Sequence, residues 1–251
     1  MSSRDLATPG RALAIAAHPD DIEFGCGATL AKWSAAGCAV SHLICTDGSK
    51  GTWDADADTA ALVVTRQEEQ RSAAHALGAT GEVVFLGRVD GELEANRTTC
   101  SEVARWIRVL RPDVVLGHDP WKRYRLHPDH RAAGFLTVDA IVAARDPHFF
   151  REHGVAHHRP RALLLFEADA PDHAEDAAEF AGAKVAALLA HESQFETTMK
   201  IGPDQSDRSA ATTVERDAFR QRIEDELAEA AQWAGWPSDA RAERFKLIDD
   251  L

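Results

Sequence analysis

Short apolar runs alternate with segments of helical period, and this alternation constrains the chain more than any other feature. The runs are Ala12–Ala17, Ala39–Cys45, Val83–Leu86, Val114–Gly117 and Ala162–Phe166. Between them, residues recur at helical spacing over Gly27–Ala36 (closed by Gly37), Leu62–Leu77 (closed by Gly78), Ser101–Leu110 and about Pro128–Ala144. Strands alternating with helices of about ten to fifteen residues make parallel βαβ units. The fold expected is therefore α/β: a doubly wound, Rossmann-like, mostly parallel sheet with helices on both faces. After Phe166 the pattern weakens. Ala183–Ala190 reads as helix, Gly202–Ser209 as a polar loop, and Phe219, Ile223, Leu227, Ala230 and Ala234 as the apolar stripe of a helical C-terminal extension. With no internal repeat and no shift of composition, residues 1–251 are expected to form a single domain.

Composition narrows the partners. Lys and Arg number 28 against 41 Asp and Glu, a formal net charge of −13. Such a chain repels phosphate backbones and anionic membranes, so neither nucleic acid nor a membrane surface is an expected partner. No run approaches the ~18 uninterrupted apolar residues of a membrane helix, and Asp5, Pro9 and Arg11 interrupt any signal-peptide core. The four cysteines, Cys26, Cys38, Cys45 and Cys100, have no CxxC spacing. They read as buried thiols of a reducing compartment, and a cytoplasmic location is expected.

Two clusters carry chemistry. The first apolar run ends in Ala17-His18-Pro19-Asp20-Asp21. Adjacent carboxylates repel unless a cation or other partners offset them, and imidazole with carboxylate is a ligand set for first-row metals. A capped turn, with Asp20 or Asp21 at the start of the next helix, is the simpler explanation of the same residues. The fourth run leads into His118-Asp119-Pro120, a basic loop, and His127-Pro128-Asp129-His130. Pro128 suits a first helical turn, and His130 lies on the apolar stripe running through Ala133, Thr137 and Ala140. In a doubly wound sheet the first and fourth strands flank the switch point where ligands bind. His18, Asp21 and His130 would then meet as a three-ligand site with a fourth position open. Gly25-x-Gly27 lacks the third glycine of a dinucleotide fingerprint, where Leu30 stands. Asp54, Asp56 and Asp58 lack the glycine and glutamate of a calcium loop, where Thr59 and Thr65 stand.

Ala-His-Pro-Asp-Asp, a Gly-x-Gly helix start, and His-Pro-Asp-His about a hundred residues later together resemble the LmbE-like, or PIG-L, zinc-dependent N-deacetylases. The stretch from His18 to Lys32 is most similar to the branch containing the bacillithiol-pathway deacetylases. The likeness extends through Thr65-Arg66 to Glu69 and through Ala190-His191-Glu192-Ser193-Gln194. It implies one zinc ion per chain on His18, Asp21 and His130, Asp20 as general base, and His127 facing the oxyanion. Some members place Tyr two residues before the first His of the second motif. Here that residue is Arg125, with Tyr124 beside it.

The residues themselves agree with such a reaction. Asp20 could take a proton from an activated water and return it to the leaving amine, while a protonated His127 would stabilise the developing oxyanion. Asp129 either orients His127 or serves as an N-terminal helix charge. Arg66 either pairs with Glu69 or binds substrate oxygens, and the loop of Gly48 and Ser49 follows the second strand into the same crevice. The expected activity is removal of acetyl from an N-acetylglucosamine derivative, a small-molecule amino-sugar substrate. A zinc amidase acting on a non-sugar or thiol-conjugate amide, or a catalytically silent carbohydrate-binding protein, are the rival expectations. The likeness also allows a homo-oligomer.

Overall fold

Both faces of a central parallel strand are covered by helices, so such strands read as continuous apolar runs. The computed structural model, which describes residues 3–202 and 210–251, has this arrangement. Its strands are β1 (Ser3–Arg4), β2 (Arg11–Ala16), β3 (Ala39–Thr46), β4 (Val83–Arg88), β5 (Val114–His118), β6 (Ala162–Phe166), β7 (His173–Asp176) and β8 (Ala242–Ile248). They form one sheet in the order β1-β7-β8-β6-β5-β2-β3-β4. All pairings are parallel except those of β8, which runs antiparallel to β6 and β7. The helices are α1 (Asp21–Ala35), α2 (Thr59–Ala76), α3 (Arg97–Leu110), α4 (Pro128–Arg145), α5 (Ala181–Leu188) and α6 (Ala210–Trp233).

Alternation along β2 divides the core. Leu13, Ile15 and Ala17 pack with Val103, Ile107, Leu136 and Ala140 of α3 and α4. Ala12, Ala14 and Ala16 pack with Ile22, Leu30, Ala73 and Leu77 on the opposite face. The chain steps outward from β2 through β3 to β4, then returns to add β5 on the other side of β2. The switch point therefore lies between β2 and β5, as the alternation predicts, and the loops leaving both strands converge there.

Two features differ from expectation. Helix α1 begins at Asp21 rather than Gly27, and bends at Cys26 (φ −153°, ψ 20°). The glycines that hide this start serve packing: a Cβ on Gly25 would stand 2.6 Å from the Phe166 ring. The bend frees backbone N–H groups, and the Glu243 carboxylate of β8 accepts from Ala28 N (3.1 Å) and Thr29 N (2.7 Å). Lys184 pairs with that buried carboxylate at 2.6 Å. Second, the expected late helix is α6, but the chain afterwards returns to the sheet as β8. Its burial follows no clean period of two, since Ala242 and the charged Glu243 are both buried, so it has no strand signature. Beyond Gly202, the expected polar loop to Ser209 lies outside the described residues.

Candidate active site

The loops converging at the switch point line a cleft of about 390 Å³. His18, Asp20 and Asp21 enter it from the end of β2, His127 and His130 from the start of α4, and Asp90 from the loop after β4. The three expected ligands meet. His18 Nδ1 lies 3.2 Å from His130 Nε2 and 3.3 Å from Asp21 Oδ2, and His130 Nε2 lies 3.3 Å from Asp21 Oδ1. Donors about 2.0–2.1 Å from a tetrahedral zinc stand about 3.3 Å apart, close to these separations, with the two Asp21 contacts made by its two different oxygens. Alternative donor groupings share these residues: His18, His127 and His130, or Asp21, His118 and His130.

Hydrogen bonds behind the ligands set their tautomers. His18 Nε2 faces Asp90 Oδ1 at 3.1 Å and Asp129 Oδ2 at 3.2 Å, which keeps a proton on Nε2 and leaves Nδ1 for an ion. Burial alone would lower the His18 pKa, but hydrogen bonds to Asp129, Asp21 and Asp90 hold it well above the usual value, so an ion binding at Nδ1 would displace the second ring proton. Burial likewise opposes ionisation of Asp21, yet the His130 and His118 rings keep its carboxyl well below the carboxylate range. His118, to which the sequence pattern assigns no role, is buried between Asp21 Oδ2 (3.3 Å) and Glu167 Oε2 (3.0 Å). Arg125 Nη1 lies 2.7 Å from both Glu167 Oε2 and His130 Nδ1. A donor at Nδ1 leaves the ring proton on Nε2. Coordination through Nε2 therefore requires that proton to move to Nδ1 and Arg125 to yield to Glu167 alone.

Asp20 and Asp21 have separate surroundings. Asp21 lies in the first turn of α1 and its Oδ2 accepts from His18 N at 2.8 Å. Asp20 occupies the N-cap position in a left-handed conformation (φ 98°, ψ −28°) and makes no side-chain cap. That backbone costs about 1–3 kcal/mol for a residue other than glycine. It aims the Asp20 carboxylate at Arg66 Nη2, 3.5 Å away, rather than at the helix end. Burial raises its pKa to about 6, with Arg66 opposing and Asp21 adding to the rise.

The second motif corrects two expectations. Asp129 does not orient His127: its buried carboxylate holds His18 and accepts from Gly91 N (2.6 Å) and Leu93 N (3.2 Å). His127 instead caps α4, its Nδ1 accepting from Asp129 N at 3.3 Å. Burial and the neighbouring His18 lower its pKa, so its resting ring is neutral, with the proton on Nε2. No preformed charge is needed for it to donate. Tyr124 is 88% exposed with φ 59°, and does not line the cleft.

Arg66 lines the cleft but is spent largely on the protein. Its Nη1 donates to Gly48 O (2.9 Å) and its Nη2 to Pro19 O (2.6 Å). The alternative pair with Glu69 does not form, because Glu69 accepts from Ser193 N (2.7 Å) and Ser193 Oγ (2.6 Å). Gly48 and Ser49 do not line the cleft; Lys50, Gly51, Thr52 and Trp53 of the same loop do. Arg66→Lys is expected to lose about 1.5–3 kcal/mol of stability, the worth of hydrogen bonds to a charged group, and to lower kcat with it. Unfolding and kinetics of the variant check both, and full activity in Arg66→Lys would make the guanidinium fork dispensable.

Behind Asp20 lies a buried polar group that the sequence does not announce. Gln70 Oε1 accepts from Asp20 N at 3.1 Å, and Gln70 Nε2 donates to Glu23 Oε1 at 2.7 Å. Glu23 also faces His191 Nε2 at 3.5 Å and His42 Nδ1 at 3.7 Å. Gln70→Glu would set two carboxylates together and should cost about 1–3 kcal/mol. Adding Glu23→Gln restores a donor opposite an acceptor. The double variant should regain most of the loss in thermal unfolding; no recovery would show that this pairing is not what the core requires.

A buried His/Asp triangle at the switch point of a Rossmann-like sheet defines an α/β protein built around a candidate metal site. The PIG-L family model, described as GlcNAc-PI de-N-acetylase, matches residues 13–141 and so spans both motifs. A diacetylchitobiose deacetylase of Thermococcus kodakarensis is 37% identical over 188 residues, which are 74% of this chain and 70% of that one. The chain belongs to the PIG-L family, and it is an N-deacetylase. A 1D-myo-inositol 2-acetamido-2-deoxy-alpha-D-glucopyranoside deacetylase of Kineococcus radiotolerans is 33% identical over 170 residues, covering 55% of this chain and 46% of that protein. The solved structure of an N,N'-diacetylchitobiose deacetylase from Pyrococcus horikoshii superposes with a TM-score of 0.82, at 25% identity, over 96% of this chain and 84% of the other. The affinity expected for the bacillithiol branch is thereby corrected, since a relative matched over most of both chains is a diacetylchitobiose deacetylase. Among the described residues, no helix is long and apolar enough to cross a membrane.

Proposed function

We propose that this chain is a zinc-dependent deacetylase that hydrolyses the acetamido group of N-acetylglucosamine derivatives, with one ion on His18, Asp21 and His130. The observation that carries the reading is the donor triangle with edges of 3.2–3.3 Å, set beside a carboxylate that is not part of it. When bound, the ion would supply a Lewis acid and a water of lowered pKa. Asp20, with its pKa raised to about 6, accepts the proton of the attacking water. The neutral His127 donates Nε2–H to the amide oxygen as negative charge gathers there. Asp20 then returns its proton to the nitrogen of the leaving amine, so that acetate and a free amino sugar result. Asp129 and Asp90 act through His18, holding its ring. Arg66 fixes the Asp20 carboxylate and walls the cleft.

The test is acetate release by the purified, zinc-loaded protein from N,N'-diacetylchitobiose, N-acetylglucosamine, an inositol-linked N-acetylglucosamine, and a non-sugar thiol-conjugate amide. Release from the sugars supports the proposal. Release from the thiol conjugate alone would favour the amidase, and binding of sugars without release would favour the silent carbohydrate-binding protein.

A further inference from the structure

The floor of the cleft carries the proposed metal ligands and Asp20, but its rim carries something more. The loop after β3 is tied down along its length. Arg66 Nη1 donates to Gly48 O at 2.9 Å, Lys50 N to Asp90 Oδ2 at 3.1 Å, and Gln194 Nε2 to Gly51 O at 3.0 Å. The fit is close enough that a Cβ on Gly51 would lie 2.2 Å from Arg66 Nη1. Directly after this anchored stretch comes Trp53, which lines the cleft while 78% exposed. A large indole held in water on a well-braced loop is unfavourable for the folded chain by itself and favours a ligand that covers it. Among the described residues, the other exposed aromatic side chains, Trp121, Tyr124, Phe135, Phe149 and Trp233, do not line the cleft.

The rest of the rim indicates what that ligand is. Thr52, Thr197 and Thr198 share the lining with Trp53, offering hydroxyl groups beside one flat apolar surface. The cations nearby are engaged: Lys50 Nζ contacts the Asp90 carbonyl and the Glu92 carboxylate, and Arg66 is bound to two carbonyls. Around Trp53, therefore, the side-chain cations of the rim already have protein partners, and the rim favours a neutral group. A neutral six-membered ring bearing hydroxyls matches, because its C–H face is apolar and its edge hydrogen-bonds. Resting on the proposed deacetylase activity, we infer that Trp53 is the stacking platform for the second ring of the substrate, a neutral sugar or cyclitol attached to the N-acetylglucosamine that is hydrolysed.

The experiment compares the zinc-loaded parent, Trp53→Ala and Trp53→Phe on N,N'-diacetylchitobiose, an inositol-linked N-acetylglucosamine and the N-acetylglucosamine monosaccharide. Trp53→Ala should raise KM for a two-ring substrate about tenfold relative to the monosaccharide, with kcat little altered and Phe intermediate. The two conjugates show which second ring uses the platform. Binding of both substrate types is also measured by calorimetry on Asp20→Asn, with and without Trp53→Ala, so that affinity is read without turnover. An unchanged ratio of two-ring to one-ring affinity, whether both fall together or neither falls, would overturn the inference. Acetate released from none of the three by the parent is a different result, and would overturn the deacetylase reading on which it rests.

Discussion

Asp20→Asn is expected to keep its metal and its fold while losing about 10²–10⁴-fold in kcat, the usual worth of general-base assistance. The amide cannot accept a proton, yet it preserves the size of the side chain and leaves the donor triangle of His18, Asp21 and His130 untouched. It also removes the carboxylate that faces Arg66, so a modest change in stability should accompany the kinetic loss. Asp21→Asn should behave in the opposite order, losing metal first and activity in consequence, because its carboxylate forms two edges of the triangle. Metal content and kcat measured side by side on the two variants decide the matter. An active Asp20→Asn chain, or one depleted of metal, would reverse the roles assigned to these neighbours.

The second large effect belongs to the proposed ligands themselves. His130→Ala should lose metal far more severely than Asp129→Asn, which acts on the proposed ligands only through the hydrogen bond behind His18. Removing such outer partners typically costs about 10–100-fold in metal affinity. Since Asp129 also accepts from Gly91 and Leu93, its Asn variant should additionally loosen the loop after β4. Competition with a chelator followed by metal analysis orders the variants. Stoichiometric zinc retained by His130→Ala would remove His130 from the site.

Much of this site is legible in the sequence because its proposed ligands sit where local pattern is strong. His18 and Asp21 follow an unbroken apolar run, and His130 follows a proline that opens a helix. Their meeting follows from a general rule of doubly wound sheets, and the order of β4, β3, β2, β5 and β6 obeys it. What local pattern does not reveal are partners that approach from elsewhere. Asp90 carries a visible signal, an Asp-Gly turn after the third run, but nothing local says that it holds His18. Gln70 looks like any polar residue on a helix until its carbonyl oxygen meets Asp20 N. Sequence proximity pairs Asp129 with His127, whereas the helix start turns its carboxylate toward His18. The early part of α1 escapes notice because glycines that allow close packing mimic a helix break. Strand β8 escapes it because a buried carboxylate interrupts its pattern.

That buried carboxylate gives the fold a temporal order. Helix α1 carries Asp21 near the beginning of the chain, yet the acceptor for its freed amides is Glu243, more than two hundred residues later. Strands β1 and β7 join the sheet only through β8. On a translating ribosome, β2 to β6 can pair as they emerge, but the bend of α1 stays uncapped and the edge of β6 open until β8 has left the exit tunnel. The helix bearing Asp21 therefore acquires its final shape only after β8 has joined the sheet, so the geometry around a residue near position 20 waits on a strand at residues 242–248.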